Sequence, residues 1–224
     1  MINNKIISLV YKTILMTISL IALSLMAYYY KSTTLGYFTN LSNICVFFMM
    51  GYIWIKTLKD VLKGEVKGYN TYLLKYKGIA TLCICVTGII YMLFLADYTK
   101  KATYYPYNLM LHYIVPIMTV LDFFLFDKRG SLKAWYPAMW VTVVAMYLPY
   151  IFIRQYLLKD TKYANFSENS RFPYFFLDID ELGISGVALW IIGIILVFGA
   201  ISYLFYLWDH LGKGDENEDT ISRG

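Results

Sequence analysis

Six long apolar runs separated by short polar connections make up most of this chain. A helix needs about 20 consecutive apolar residues to cross a bilayer, so each run predicts one transmembrane helix. The runs extend approximately over Ile6–Tyr30, Phe38–Ile55, Ile79–Leu95, Tyr107–Phe126, Trp135–Ile153 and Ile184–Trp208. The pattern predicts an all-α polytopic membrane protein in which residues 1–211 form one six-helix transmembrane domain. Residues 212–224 are polar and acidic, which predicts a disordered cytoplasmic tail.

Composition and charge agree with this pattern and exclude other classes. Hydrophobic residues make up 59% of the 224-residue chain, and the mean hydropathy is +0.52, which leaves no room for a separate soluble domain. The net charge of +5 does not indicate a nucleic-acid partner, because the Lys and Arg residues lie mainly in the connections. On one side of the predicted membrane lie 13 of the 20 Lys and Arg residues. The positive-inside rule therefore places that side, with both termini, in the cytoplasm and predicts a multi-pass protein of the cell membrane.

The fourth run carries polar residues that are unusual in a membrane helix. His112 and Asp122 are costly in lipid and indicate a functional site or a buried partner. Pro116 removes the intrahelical partner of the His112 carbonyl, so this face should point into protein. Asp122 lies about 15 Å deeper than His112 and is expected to pair structurally with Lys12 of the first run. His112 is either hydrogen-bonded to a neighbouring helix or a general base.

The second run begins with a polar segment, TyrPheThrAsnLeuSerAsn at 37–43. Thr39, Ser42 and Asn43 share one helical face, and in one interpretation the Thr and Asn side chains only cap the helix start. In the sharper interpretation, Thr39 is a nucleophile whose proton is taken by His112. Asn40 and Asn43 would then bind the substrate or stabilise an oxyanion, and Asp178 would orient the imidazole.

Two further features limit the chemistry. Cys45, Cys83 and Cys85 all lie in apolar runs and form no CxxC pair, so they predict buried free thiols without a disulfide or metal site. No phosphate-binding, dinucleotide-binding or metalloprotease motif is present, and no cofactor is expected. The long connection at 155–183 contains the aromatic segment PheProTyrPhePheLeuAsp at 172–178, which is either part of a site or an interfacial anchor.

Three segments together resemble one family. They are 37–43, HisTyrIleValPro at 112–116 with Asp122 ten residues after the histidine, and 172–178. In order and spacing they are similar to bacterial members of the androgen-induced-gene family of multispan membrane proteins, whose animal members are threonine hydrolases of fatty acid esters of hydroxy fatty acids. The resemblance implies that Thr39 is the nucleophile and His112 its partner.

The expected function is therefore hydrolysis of a lipid or fatty acyl ester near the outer leaflet. Acyl transfer to Thr39, assisted by His112, would precede release by water. The alternative from another class is a non-enzymatic membrane protein that binds or transports a lipid or small molecule. A third interpretation gives the polar residues no role beyond helix packing.

Overall fold

The computed structural model describes residues 1–96, 105–161, 165–166 and 170–211. It confirms an all-α fold with six helices that are long and apolar enough to cross a membrane. These helices are α1 Lys5–Tyr30, α2 Phe38–Leu62, α3 Leu74–Leu95, α4 Pro106–Phe126, α5 Tyr136–Leu158 and α6 Ile179–Leu211. The predicted tail at 212–224 lies outside the described residues.

Several helices extend beyond the apolar runs that predicted them. α2 continues seven residues past Ile55 to Leu62, because a helix satisfies its own backbone hydrogen bonds and can pass through the headgroup region. α3 begins at Leu74, directly after Leu73, whose φ of 51° breaks the preceding turn. Hydropathy thus locates the membrane-embedded part of a helix, whereas backbone geometry sets its ends.

The last helix contains a sharp break at Gly183, where φ is 66°. Glycine tolerates this left-handed conformation because it has no Cβ. The short turn Ile179–Leu182 precedes the break, and the membrane-spanning part then begins at Ile184 as the sequence predicted.

Two helices change to a wider π-helical turn near the same end of the molecule. In α3 this turn covers Tyr91–Leu95, and in α4 it covers Met110–Ile114, just before Pro116. Single π-turns inside α-helices often occur at functional sites. A Cβ on Gly88 of α3 would lie 3.2 Å from the His112 carbonyl oxygen, so the two helices approach each other closely here.

Backbone hydrogen bonds gather the N-terminus and two connections at one end. Ile2 N–H donates to the Leu125 carbonyl and Lys5 N–H to the Val66 carbonyl, both at 2.8 Å. At the same end, Gly130 N–H donates to the Asp209 carbonyl of α6 at 2.9 Å. We name this predicted cytoplasmic end the inner end and the opposite one the outer end.

All three cysteines are free, but the expected burial of Cys45 is wrong. Cys45 is exposed on the face of α2 that also carries Phe48 and Tyr52. These positions are three and four residues apart, so they share a helix face, and Cys45 itself lines a surface groove between α2 and α5.

Candidate functional site

Thr39 lies at the outer end, on the first turn of α2, and is 5% exposed. Its hydroxyl oxygen lies 3.4 Å from the phenolic oxygen of Tyr174, and its backbone N–H donates to that same oxygen at 3.3 Å. Tyr174 belongs to the aromatic segment that precedes α6. The structure therefore places the candidate nucleophile against a residue that the sequence did not single out.

This aromatic segment, residues 172–177, packs into the bundle. We name it the aromatic strap. Phe172, Tyr174, Phe176 and Leu177 are each at most 8% exposed, and the Phe176 ring stacks on Tyr174 with centroids 5.0 Å apart. Burial raises the pKa of Tyr174, so the phenol stays protonated at neutral pH. The strap closes the outer end, which rules out a simple anchor lying on the headgroups.

Below the strap lies a cavity of about 50 Å³ between α2, α3, α5 and α6. Its walls are mostly aliphatic and aromatic, and four residues that carry a hydroxyl line it, namely Thr39, Thr87, Tyr147 and Tyr174. Thr87 donates to the Cys83 carbonyl at 2.7 Å, and Tyr147 donates to the Gly36 carbonyl at 2.8 Å. Thr39 and Tyr174 instead meet each other, so they form the polar end of an apolar chamber.

His112 lies on the π-turn of α4 and is 8% exposed. Its ring stacks on Tyr91 of α3, with centroids 3.6 Å apart and planes 13° apart. Within the described residues, His112 Nδ1 has no hydrogen-bond partner, which is uncommon for a buried polar atom.

Thr39 and His112 are linked through the Asn43 amide and the backbone. The Asn43 amide donates to the Thr39 carbonyl at 2.9 Å and to the Leu111 carbonyl at 3.2 Å. This amide ties the start of α2 to the residue before His112. In the described part of the chain, no hydrogen bond joins the two side chains.

The predicted oxyanion role of the two asparagine amides needs correction. Asn43 uses its amide nitrogen on the two carbonyls named above, and the Asn40 amide donates to the Thr34 carbonyl at 2.9 Å. The three acceptor carbonyls lie in the first turn of α2, in the π-turn of α4 and in the 3-10 turn before α2. Both amides therefore support the backbone, and Asn43 uses both of its amide N–H groups to do so in this conformation.

Asp178 also hydrogen-bonds to backbone groups. Its Oδ1 accepts the N–H groups of Asp180 at 3.0 Å and Glu181 at 3.3 Å, and its Oδ2 accepts the Ser170 hydroxyl at 2.7 Å. An aspartate directly before a helix is a preferred N-cap. Among the described residues, none of its hydrogen bonds goes to His112, so Asp178 positions the strap and the start of α6 and does not orient the imidazole.

At the inner end, the expected pair of Lys12 and Asp122 is present, with Nζ 2.7 Å from Oδ1 and both side chains fully buried. The sequence missed two further members. Lys77 of α3 lies 2.5 Å from Asp122 Oδ2 and from Asp127 Oδ1. We name these four residues the charged quartet; its formal charges cancel.

The missed residues lie at the edges of apolar runs, which explains why they were assigned to connections. Lys77 comes two residues before Ile79, and Asp127 directly follows Phe126. Asp127 also accepts the Asn70 amide at 2.7 Å, which fixes the connection between α2 and α3 to the end of α4. Pairing of acidic and basic residues at the ends of adjacent runs is the signal that could have found them.

In the described residues, no three His, Cys, Asp or Glu side chains converge as a metal site would require. The functional interpretation therefore depends on the outer-end geometry.

Comparisons with protein families, with characterised proteins and with solved structures find no match to this chain.

Proposed function

We propose that this protein is a hydrolase of lipid acyl esters in the cell membrane, with Thr39 as the nucleophile and His112 as its base. One observation carries the proposal. A buried threonine hydroxyl forms the polar end of an apolar chamber, and an adjacent helix holds a buried imidazole whose Nδ1 has no partner among the described residues. An ester with a long acyl chain matches both parts of this environment.

The reaction has two balanced steps. In the first, Thr39 Oγ1 bonds to the ester carbonyl carbon, the bond to the alcohol oxygen breaks, and the alcohol leaves with the proton that Thr39 lost. In the second, water attacks the acyl-threonine, which releases a carboxylic acid and restores the Thr39 hydroxyl. Threonine is a weak nucleophile until a base takes its proton, and His112 supplies that base.

A water molecule between Thr39 and His112 completes the proton path. A general base can act directly or through one water, and the proposal requires such a water because no hydrogen bond joins Thr39 to His112 among the described residues. The Asn43 tie between Thr39 and Leu111 fixes the two helices around this position.

Tyr174 takes the oxyanion role that the sequence assigned to asparagines. Its hydroxyl lies within 3.4 Å of the Thr39 hydroxyl, close to where negative charge develops on the carbonyl oxygen. Since burial raises its pKa, the phenol keeps the proton that it donates. Preorganised donors of this kind contribute strongly to acyl transfer.

The proposal is tested by hydrolysis of a long-chain fluorogenic acyl ester by purified protein in nanodiscs. Thr39→Ala and His112→Ala should each lower the rate at least about 100-fold, whereas Thr39→Ser keeps the hydroxyl and should retain much of it. A serine-type phosphonate probe should label Thr39, and mass spectrometry locates the adduct. Hydrolysis by Thr39→Ala at the wild-type rate would overturn the nucleophile assignment.

The second candidate is a lipid-binding or transport protein without chemistry. It is favoured by one observation, because the described contact of the Thr39 hydroxyl is Tyr174 and not His112. This candidate predicts substrate-dependent flux in proteoliposomes, no adduct on Thr39 and unchanged lipid binding in Thr39→Ala. The phosphonate adduct therefore separates the two functions.

A further inference from the structure

Two large grooves open on the lipid-facing surface around the cavity. The first lies between the outer part of α3 and α6, has a volume of about 420 Å³ and includes Leu93, Trp190 and Gly193. The second lies between α2 and α5, has a volume of about 430 Å³ and includes Leu41 and Met146. We name them the α3–α6 groove and the α2–α5 groove.

The α3–α6 groove and the cavity share a wall of aliphatic side chains. Ile90 of α3 and Ile194 of α6 line both the groove and the cavity. Isoleucine has no polar group that could bond across the gap, so rotation of these two side chains breaks no hydrogen bond. The wall can therefore open at the cost of packing contacts only.

The α2–α5 groove also borders the cavity, but hydrogen bonds hold its wall shut. Tyr147 lines both spaces, and its hydroxyl donates to the Gly36 carbonyl at 2.8 Å. Tyr150 donates to the Leu35 carbonyl at 2.9 Å. Phe38 also lines both spaces, but moving Tyr147 and Tyr150 would leave polar groups unpartnered near lipid, which is costly.

The α3–α6 groove lies at the same end of the molecule as the Thr39 site. It borders the π-turn at the outer end of α3 and the outer half of α6. At its upper edge, the Trp190 ring contacts Phe175 and Phe176 of the aromatic strap, with centroids 5.4 and 5.9 Å apart. A lipid of the outer leaflet would thus meet the groove with its acyl chain beside the strap.

We propose that the α3–α6 groove binds one acyl chain of an outer-leaflet lipid ester and that Ile90 and Ile194 form the gate through which this chain reaches Thr39. The occupant is an acyl chain because the groove is lined almost wholly by apolar atoms, faces lipid and shares its Ile90 and Ile194 wall with the cavity that Thr39 and Tyr174 line. The catalytic use of the groove rests on the proposed function, whereas occupancy by the chain does not.

Gly193 provides a direct test because it lies in the groove and a Cβ there would meet no atom within 4 Å. Gly193→Leu therefore fills the groove without a clash in the fold. Gly199 of the same helix also has open space at its Cβ but does not line the groove, so Gly199→Leu is the matched control.

The experiment uses full-length Thr39→Ala protein in phosphatidylcholine nanodiscs and a long-chain ester with a diazirine on its acyl chain. After irradiation, mass spectrometry compares labelling of groove residues with labelling of the exposed α1 positions Ile14 and Ile21. Groove labelling should exceed α1 labelling, should be competed by the unlabelled ester, and should fall at least about 5-fold in Gly193→Leu but not in Gly199→Leu.

Equal labelling of the groove and α1, or an equal response of the two leucine variants, would overturn the proposal. The α1 comparison uses no glycine variant, so it decides the question even where a leucine lowers protein yield. Since Thr39→Ala removes the proposed nucleophile, labelling does not depend on hydrolysis. Saturable groove labelling together with an inactive wild-type protein would refute the proposed function and leave the groove assignment standing.

Discussion

At the scale of single residues, the inner end shows how this membrane helix tolerates a carboxylate. Asp122 is fully buried between two lysines, Lys12 and Lys77, and a second acid, Asp127, balances the charge. Lys12 also lies 4.8 Å from the centroid of the Phe126 ring. Each charge therefore has an opposite charge within contact distance, which makes the quartet structural rather than catalytic.

The pairing predicts non-additive mutant effects. Lys12→Met or Asp122→Leu alone strands a buried charge and should cost about 3–5 kcal/mol of stability. The double variant removes both charges and leaves Lys77 paired with Asp127, so its loss should be clearly smaller than the sum. Thermal unfolding in detergent measures the three variants, and additive losses would contradict the pairing.

At the outer end, Tyr37 predicts a loss of stability at alkaline pH. Burial raises its pKa from 10.0 to about 12 in the folded protein, so the unfolded chain ionises first. Its contribution is complete below pH 10 and falls as pH rises from about 10 to 12. Tyr37→Phe should lose less stability than wild type between pH 9 and 11.5, and parallel melting curves would exclude this role.

Some of these residue contacts could be predicted from the sequence and others could not. The Lys12–Asp122 pair was predictable, because the number of residues from a helix end gives the depth of a residue in the membrane and the two residues lie at similar depths. Residue spacing could not pair Thr39 with Tyr174, since the strap lies in a long connection whose path hydropathy does not define. The capping role of Asp178 has a local signal in the sequence, because an acidic residue stands just before a helix. The expected contact with His112 was preferred over this signal.

At the scale of elements, all six helices follow from apolar run length, because the bilayer requires it. The π-turns at Tyr91–Leu95 and Met110–Ile114 do not follow from hydropathy. They depend on how α3 and α4 pack around Gly88 and Pro116. Helix number was therefore predictable, but the local geometry that shapes the site was not.

Contact between α3 and α5 depends on Gly78. A Cβ at this position would overlap the ring of Trp140, which is fully buried and donates its indole N–H to the Lys75 carbonyl at 3.0 Å. Gly78→Ala should therefore cost about 1–3 kcal/mol through overpacking. Gly199→Ala, where a Cβ meets open space, controls for helix propensity, and equal melting temperatures would contradict the close approach.

At the scale of the whole molecule, the uneven distribution of Lys and Arg and the structure together predict the orientation of the protein in the membrane. The N-terminus, the α2–α3 connection and the end of α6 meet at one end, which the positive-inside rule places in the cytoplasm. In a cysteine-free protein, a cysteine at Lys63 should resist an impermeant maleimide in intact cells, whereas one at Asp160 should react. The reverse labelling would invert the orientation and move the Thr39 site to the inner leaflet.

The charged quartet also affects when the first helix can be fixed in place during synthesis of the chain. Lys12 enters the membrane with the first helix, whereas Asp122 follows 110 residues later. At 5–20 residues per second, the ribosome needs roughly 5–20 s to make that interval. During this time Lys12, near the inner end of α1, has no aspartate from α4. We therefore expect the Lys12–Asp122 contact to fix α1 in the bundle only after α4 has been synthesised.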